Sequence, residues 1–334
     1  MFEQIHSNPD IYKVPVVLPN NPLKNLNCYI IKTPSENLVI DTGFNQPECL
    51  EALTGGLKAL DIDMDRTTLF LTHLHSDHIG LVNHIATGQT KILMSRTDYD
   101  YLSRDVDGDN WRWMEHKFFR EGLSEDLIER QRAVNPARQY APEYLFKAEG
   151  VSDGYRFTVG AYTFRCIQTP GHTPGHTCLF MEKEKILFAG DHILFDITPN
   201  ITMWRGVEDS LGNYLESLKK IRSLDIRLAL PAHRKNDMDV YERIRQIEAH
   251  HDRRIRQTLS IIQEEPGLNA CEIGARMTWS MRGKNWDEFP IQQKWFAIGE
   301  TISHLDYLLL RNKIIRHDEK ETVYYTAVRS EDCL

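Results

Sequence analysis

Three histidines and an aspartate occur within six positions of this sequence, directly after the apolar run Leu69-Phe70-Leu71. They are His73, His75, Asp77 and His78. Imidazole nitrogens and carboxylate oxygens are ligands that bind zinc and related divalent cations. Residues two apart on an extended segment point to the same side, so His73 and His75 can reach one ion. Asp77 and His78 lie past the turn and can reach another, so the spacing predicts a metal site at the end of a buried strand.

The same arrangement, an apolar strand followed by a turn and a ligand-type residue, recurs later in the chain. The alternating segment Tyr162 to Ile167 predicts a strand that leads into a turn rich in Pro and Gly, which presents His172. Two further apolar strands lead to Asp191 and His233. Strands of one sheet place their ends on a common rim, so ligands that are distant in sequence can converge there. The seven candidate ligands are His73, His75, Asp77, His78, His172, Asp191 and His233.

A β-sheet is predicted to open the fold, with strands at Val14–Leu18, Cys28–Lys32 and Asn37–Ile40 separated by Asn/Pro turns. Asp41-Thr42-Gly43 follows the last of these strands. An acidic residue in this position suits a tight loop beside the metal cluster, and it equally suits an Asx-type turn without a metal role.

Residues 98–150 differ from the rest of this β-rich region, because they are rich in charge and aromatics. Trp111, Met114 and Phe118 have helical spacing, so the segment is predicted to be a helical insertion. It could be a packed excursion or a dimer contact, and it could be a lid whose aromatics line a substrate pocket.

In combination, these motifs resemble those of the metallo-β-lactamase superfamily. The matching segments are Asp41-Thr42-Gly43, the His-x-His-x-Asp-His motif at 72–78, Gly171–His176, Gly190-Asp191 and Ala232-His233. The resemblance covers roughly residues 12–235. It implies an α/β fold, the αββα sandwich, with a metal site at one edge of the two sheets.

The resemblance also implies how the ligands divide between two metal ions. One ion takes His73, His75 and His172, the other takes Asp77, His78 and His233, and Asp191 bridges them. Each ion keeps an open position, as a catalytic site requires. The implied chemistry is hydrolysis by a metal-bridged hydroxide, which Asp77 could orient while it binds its ion. Zinc is the default metal for such ligands, although Mn, Fe or Ni could occupy them.

Departures within the superfamily narrow the reaction class. His75 stands where di-iron flavoproteins of this fold carry an acidic residue, so redox chemistry is disfavoured. Only 41 residues separate Asp191 from His233, too few for the inserted domain of nucleases that process RNA ends. We therefore expect hydrolysis of an ester, thioester or lactone in a small to medium substrate. A lactamase-like endoribonuclease is the alternative, and a non-catalytic binding protein is disfavoured because no ligand position is missing.

Four further residues are candidates for supporting roles. His176 and His192 flank metal ligands and are predicted to hold them by hydrogen bonds; ordinary buried polar residues are the alternative interpretation. Asn200 and Trp204 lie in the segment that follows Asp191 and are candidate substrate contacts.

The C-terminal third predicts a long amphipathic helix from about Asp239, two further helices and a β-hairpin. Asn269 and Glu272 have the spacing of a capping box. Helix, helix and hairpin resemble a winged-helix module, so we predict a catalytic domain at 1–238 and a second domain at 239–334. From Glu264 onward there are nine Lys/Arg and twelve Asp/Glu, a net charge of 9 − 12 = −3. A domain that binds double-stranded nucleic acid needs a basic face, so nucleic acid binding is disfavoured but not excluded.

The composition of the whole chain fits these expectations. With 334 residues and a net charge of −8, it lacks a global basic field that would attract nucleic acid or anionic membranes. Six scattered cysteines without a Cys-x-x-Cys pair indicate a reducing compartment. We find no signal peptide or membrane span and expect a cytoplasmic protein with a small-molecule substrate. A homodimer is an expectation from the family.

Overall fold

The computed structural model describes residues 2–104, 108–280 and 285–328. The chain forms two compact units that are interleaved in sequence. Unit 1 comprises Met1–Val106, Pro136–Pro199 and Ser217–Ile244. Unit 2 comprises Asp107–Asn135, Asn200–Glu216 and Arg245–Leu334. The domain limits suggested by the sequence, 1–238 and 239–334 with an insertion at about 98–150, stay a prediction.

The β-strands of the described residues include all those that carry candidate ligands at their ends. In chain order they are β1 (Glu3–Ser7), β2 (Asp10–Val17), β3 (Asn25–Lys32), β4 (Asn37–Ile40), β5 (Thr67–Leu71), β6 (Lys91–Ser95), β7 (Glu149–Val151), β8 (Arg156–Val159), β9 (Tyr162–Gln168), β10 (Thr177–Met181), β11 (Ile186–Gly190), β12 (Leu228–Pro231), β13 (Ile314–Glu319) and β14 (Thr322–Ala327).

The α-helices vary from a single turn to 25 residues. In chain order they are α1 (Pro47–Ala59), α2 (Ser76–Ile79), α3 (Val82–Ile85), α4 (Arg96–Arg104), α5 (Asp109–Arg120), α6 (Glu125–Val134), α7 (Pro136–Gln139), α8 (Ser210–Arg222), α9 (Val240–Glu264), α10 (Ala270–Arg276) and α11 (Ile291–Leu310).

Unit 1 is built on two sheets. The seven-stranded sheet has the order β1-β2-β3-β4-β5-β6-β7, and the five-stranded sheet has the order β12-β11-β10-β9-β8. Strands β4, β5, β6 and β7 run parallel to one another, and β11 is parallel to β12. Parallel neighbours place their carboxyl ends at one edge, which is where the candidate ligands follow.

The two sheets pack face to face across a shared apolar core. Phe70 of β5 joins the core between the sheets, together with Phe164 and Phe188 of the five-stranded sheet. Its neighbours Leu69 and Leu71 join a second core on the opposite face of the seven-stranded sheet, where helix α1 packs. Side chains alternate between the two faces of a strand. Strand β5 is therefore buried on both faces and reads as a continuous apolar run.

The outer face of the five-stranded sheet is also covered. Cys166 points into the core between the sheets, so the buried Ile167 faces the other way. There the C-terminal half of α8 contacts strand β9 and the turn after it: Ser217 Oγ donates to the Pro170 carbonyl at 2.9 Å, and Lys220 Nζ donates to the Gln168 carbonyl at 3.0 Å. Helices on both outer faces of paired sheets confirm the predicted α/β sandwich.

Unit 2 has its own apolar core, formed by helices α5, α6, α9, α10 and α11 with the β13-β14 hairpin. Phe118 of α5 stacks on Trp295 of α11 with ring centroids 3.7 Å apart. Helix α10 begins with the predicted capping box, because Asn269 and Glu272 exchange hydrogen bonds of 2.9 Å between side chain and backbone. The predicted helices and hairpin are therefore present, and their assignment as a winged-helix module stays a prediction.

The described cysteines, Cys28, Cys49, Cys166, Cys178 and Cys271, are all free thiols. Cys333 lies outside the described residues. Across the described ranges, no helix combines the length and the apolar character needed to cross a lipid bilayer.

Candidate metal centre

The candidate ligands of unit 1 lie at the ends of strands from both sheets. His73 follows β5, and His75 directly precedes the short helix α2 that carries Asp77 and His78. The other three ligands belong to the second sheet: His172 follows β9, Asp191 follows β11 and His233 follows β12. Six of the seven are buried, and His75 is half-buried. The two sheets therefore bring ligands separated by up to 160 positions to one edge of the unit.

Three histidines form the first half of the centre, which we call the three-histidine half: His73, His75 and His172. His75 Nδ1 lies 3.0 Å from His73 Nε2 and 3.0 Å from His172 Nε2. Ligand atoms of all three lie within 4.8 Å of one another. This is the spacing of nitrogens that converge on a common point.

The second half consists of Asp77, His78 and His233, whose ligand atoms also lie within 4.8 Å of one another. Asp77 Oδ2 lies 3.4 Å from His233 Nε2 and 3.8 Å from His78 Nε2. This half contains a carboxylate, whereas the first half has only imidazoles.

Asp191 lies between the two halves. Its Oδ2 atom is 3.6 Å from His172 Nε2 in the first half and 3.7 Å from His78 Nε2 in the second. Its Oδ1 atom is 3.4 Å from His233 Nε2. One carboxylate therefore faces candidate ligands of both halves, and its role as a bridge between two ions stays a prediction.

Asp41 supports the second half by contacting the His78 nitrogen that faces away from the centre. Its Oδ2 atom lies 2.8 Å from Nδ1 of His78, and Asp41 also accepts hydrogen bonds from the backbone N–H and the hydroxyl of Thr72, both at 2.8 Å. A carboxylate on the far nitrogen fixes the orientation of an imidazole ligand and keeps Nε2 directed at the ion. Asp41 thus contacts a candidate ligand directly, and its role beside a metal stays a prediction.

His233 and Asp191 are held by comparable contacts. His233 Nδ1 lies 2.8 Å from the carbonyl oxygen of Asn25, so its Nε2 atom faces the centre. His176 Nε2 accepts a hydrogen bond from the backbone N–H of Asp191 at 3.1 Å. Gly190 has φ +53°, and a Cβ there would lie only 2.6 Å from His176 Nε2. A glycine is therefore needed for this close approach.

The electrostatics of the two halves differ. Burial, followed by the neighbouring imidazoles, lowers the pKa of His73 well below its ordinary value and that of His75 to about 3. Burial opposes ionisation of Asp191, but His233 and His78 outweigh it and hold its pKa well below the usual range. Burial also disfavours the charged form of His78, yet Asp41, Asp77 and Asp191 raise its pKa. The first half therefore contains neutral imidazoles, whereas the second half pairs ionised carboxylates with imidazoles whose pKa is raised.

The unsatisfied atoms of this site fit a bound cation. Among the described residues, His78 Nε2, His233 Nε2 and Asp191 Oδ1 are buried and have no hydrogen-bond partner. Buried polar atoms without partners are costly, and each one calls for an explanation. All three atoms face the space between the two halves. The Nδ1 atoms of both histidines and the backbone N–H of Asp191 already have hydrogen-bond partners. Divalent cations held by imidazole and carboxylate would satisfy them.

Three other predicted residues have less direct positions. His192 is buried, with its ring centroid 6.0 Å from that of His176. Asn200 belongs to unit 2, where its amide donates to the Phe296 carbonyl at 3.1 Å. Trp204, also of unit 2, lines a cavity of about 570 Å³. The roles predicted for all three stay predictions.

Sequence reasoning missed Asp98, a fully buried residue of α4. It accepts hydrogen bonds from the loops that carry His73, His75 and His172. A single aspartate in a charged segment gives no signal for this role. The spacing Ser95-x-x-Asp98 resembles an ordinary helix start.

Comparison with known proteins gives the same assignment as the site. The family model described as the metallo-beta-lactamase superfamily matches residues 22–233. A relative from Aspergillus fumigatus named "atrochrysone carboxyl ACP thioesterase" is 30% identical over 271 residues, covering 78% of this chain and 70% of that protein. The Caenorhabditis elegans "beta-lactamase-like protein 2 homolog" is 25% identical over 276 residues, covering 80% of this chain and 78% of the relative.

Solved structures share the fold over almost the whole chain. A metallo-beta-lactamase family protein from Thermus thermophilus has a TM-score of 0.77 at 24% identity, covering 95% of this chain and 98% of its own. A beta-lactamase domain protein from Burkholderia ambifaria has a TM-score of 0.79 at 24% identity, covering 98% and 94%. The fold, the ligand motifs and the matched family model agree, and this chain belongs to the metallo-β-lactamase superfamily, as a hydrolase.

Proposed function

We propose that this protein is a dinuclear metal-dependent hydrolase that cleaves thioesters. The observation that carries the proposal is the position of Asp191, which faces ligands of both halves within 3.4 to 3.7 Å. Two three-ligand groups joined by one carboxylate are the arrangement that a pair of catalytic cations requires. The thioester preference is supported by the names of the Aspergillus fumigatus relative and of a second ACP thioesterase that is 26% identical.

Each candidate ligand has a role in this proposal. His73, His75 and His172 would hold one ion, Asp77, His78 and His233 the other, and Asp191 both. Bound there, divalent cations supply Lewis acidity that polarises a carbonyl and makes water a better nucleophile at neutral pH. Burial works against ionisation of Asp77, but His78 and His233 lower its pKa to about 2. Asp77 therefore stays a proton acceptor at neutral pH and can orient an attacking water by accepting its hydrogen bond.

The leaving group explains why this site suits a thioester. A thiol has a pKa near 8.5, so a thiolate departs without a strong proton donor. An amine is a far poorer leaving group and must be protonated before it departs, so an amide makes a demand on the site that a thioester does not.

The test is a substrate panel on one preparation of measured metal content. Acyl-CoA, acyl-pantetheine and acyl carrier protein thioesters are compared with lactones, oxygen esters and single-stranded RNA. We expect thioester turnover that is lost after chelation, restored by added metal, and reduced at least a thousandfold in Asp191→Asn. Asp225→Asn, an exposed carboxylate of the same unit, is the control and should keep full activity. RNA cleavage without thioester turnover would refute the proposal in favour of an endoribonuclease.

A further inference from the structure

Asp98 is a buried carboxylate in the first turn of helix α4, with none of its surface exposed. Its Oδ2 atom accepts hydrogen bonds from the backbone N–H of Leu74 at 3.1 Å and from the hydroxyl of Thr173 at 2.7 Å. Its Oδ1 atom accepts one from the backbone N–H of Gly175 at 2.6 Å.

The three donors belong to the two loops that form the three-histidine half. Leu74 lies between His73 and His75, and Thr173 directly follows His172. The two loops are 97 positions apart at the histidines that approach each other. The Asp98 side chain therefore links the His73–His75 loop to the His172 loop, although the two loops are far apart in sequence.

The contact with the second loop is close enough to require a glycine. A Cβ atom at Gly175 would clash with Ser95 Oγ and would lie 2.6 Å from the Asp98 backbone nitrogen and 2.8 Å from Asp98 Oδ1. Real Cβ atoms do not approach other heavy atoms this closely. The Gly in this turn thus allows its backbone to reach the Asp98 carboxylate.

We propose that Asp98 is the positioning residue of the three-histidine half of the metal centre. By binding Leu74, Thr173 and Gly175 it places the nitrogens of His73, His75 and His172 at the separation that one ion needs. Asp41 has the corresponding role for the second half, where it holds His78 directly. The inference rests on the proposed function, since it assumes that both halves bind metal.

The chemistry of the three donors makes Asp98→Asn a sharp test. All three point a hydrogen at the carboxylate, and only the Thr173 hydroxyl can rotate to accept one instead. An asparagine must direct its NH₂ group either at the Gly175 N–H or at the Leu74 N–H. Each orientation sets donor against donor, so the variant keeps the size of the side chain and loses one loop contact.

The experiment measures metal binding rather than turnover. Apo-protein is titrated with Zn²⁺ in competition with a chromophoric chelator, and bound metal is counted after gel filtration. We expect two ions per wild-type chain. In Asp98→Asn, one ion should bind 10- to 100-fold more weakly, as is typical for groups that support a ligand, and the other should bind within about threefold of wild type.

Paired variants identify the half that is affected. In a His233→Ala background only the three-histidine half stays intact, and adding Asp98→Asn should weaken the binding of the remaining ion. In a His172→Ala background that half is already broken, so Asp98→Asn should have no further effect. Equal effects in both backgrounds would show a general structural role and overturn the inference.

Two further variants guard against misfolding. Thr173→Val keeps the shape of the side chain and removes one donor, so it should weaken the same ion by a smaller factor. Glu121→Gln alters an equally buried carboxylate of unit 2 and should leave metal affinity unchanged. If wild type binds two ions and neither Asp98→Asn nor Thr173→Val changes their affinities, the inference fails while the proposed function stands. A wild type that binds no metal would overturn both.

Discussion

Replacing Asp98 by Asn should change the pH dependence of folding stability in the metal-free protein. Burial raises the pKa of Asp98 from 3.8 to about 7, and its hydrogen bonds from Thr173, Gly175 and Leu74 only partly oppose this. Between these two pH values the folded state binds a proton that the unfolded state does not. Stability from the protonated side chain is therefore fully present below about pH 4 and is lost as the pH rises through about 7.

The size of the effect follows from the two pKa values. Each pKa unit corresponds to about 1.4 kcal/mol. From about pH 5 to pH 8 the wild type should lose about 3 kcal/mol of unfolding free energy through this group. Asp98→Asn cannot titrate, so its lost hydrogen bonds give a difference that is constant with pH. We therefore expect the stability of the variant minus that of wild type to rise by about 3 kcal/mol over this range.

The assay has to report on unit 1. All six tryptophans of the chain lie in unit 2, so their fluorescence follows that unit, whereas most of the β-structure seen by far-UV circular dichroism lies in unit 1. Urea unfolding is followed by both signals, in the presence of chelator, at several pH values. Asp225→Asn, whose carboxylate is exposed, is the control and should run parallel to wild type. Parallel curves for Asp98→Asn and wild type would refute this account of the buried carboxylate.

Three other results are expected. Each of the two proposed ions, at 100 times its Kd, should stabilise the protein by about 2.7 kcal/mol, and the sum of about 5.4 kcal/mol for 334 residues raises Tm by roughly 8 °C; an unchanged Tm in calorimetry would contradict cation binding to the folded state. Tyr325→Phe removes the hydroxyl that donates to both oxygens of the buried Glu121 at 2.9 and 3.0 Å. It should cost about 1.5 to 3 kcal/mol in unfolding followed by tryptophan fluorescence, whereas Tyr324→Phe, at an exposed contact, should cost much less. Asp41→Asn should weaken the binding of one metal ion 10- to 100-fold, because it releases His78. Asn tolerates the φ of +62° at this position, so the backbone should be unchanged. A normal metal affinity would therefore argue against the orienting role of Asp41.

The ligands could be predicted from the sequence because their constraint is local. An apolar strand, a turn and a ligand-type residue recur at His73, Asp191 and His233, and each instance can be recognised without knowledge of the others. The convergence of these strand ends follows from general rules about parallel sheets. The same reasoning found the long helix α9 and the capping box of α10, since periodicity and cap spacing are also local signals.

Two strands that the sequence did not predict lack a local signal, whereas one helix has such a signal and was overlooked. Strand β1 is mostly exposed and polar, so its pairing with β2 cannot be read from its composition. Strand β10 is buried on both faces and shows no alternation. Helix α8 does carry apolar residues at helical spacing, at Leu211, Tyr214 and Leu218, and could have been predicted.

The His172 turn shows why supporting residues are harder to predict than ligands. Its two prolines and two glycines restrict the shape of the turn, but not its position in the molecule. The position of the turn is set by two contacts with other elements. Ser217 Oγ donates a hydrogen bond to the Pro170 carbonyl, and Asp98 accepts one from the Thr173 hydroxyl. These anchors come from elements 47 and 75 positions away, so no local pattern links them to the histidine. The motif therefore specifies which side chain can serve as a ligand, and the distant anchors determine whether it meets the candidate ligands of the other loop.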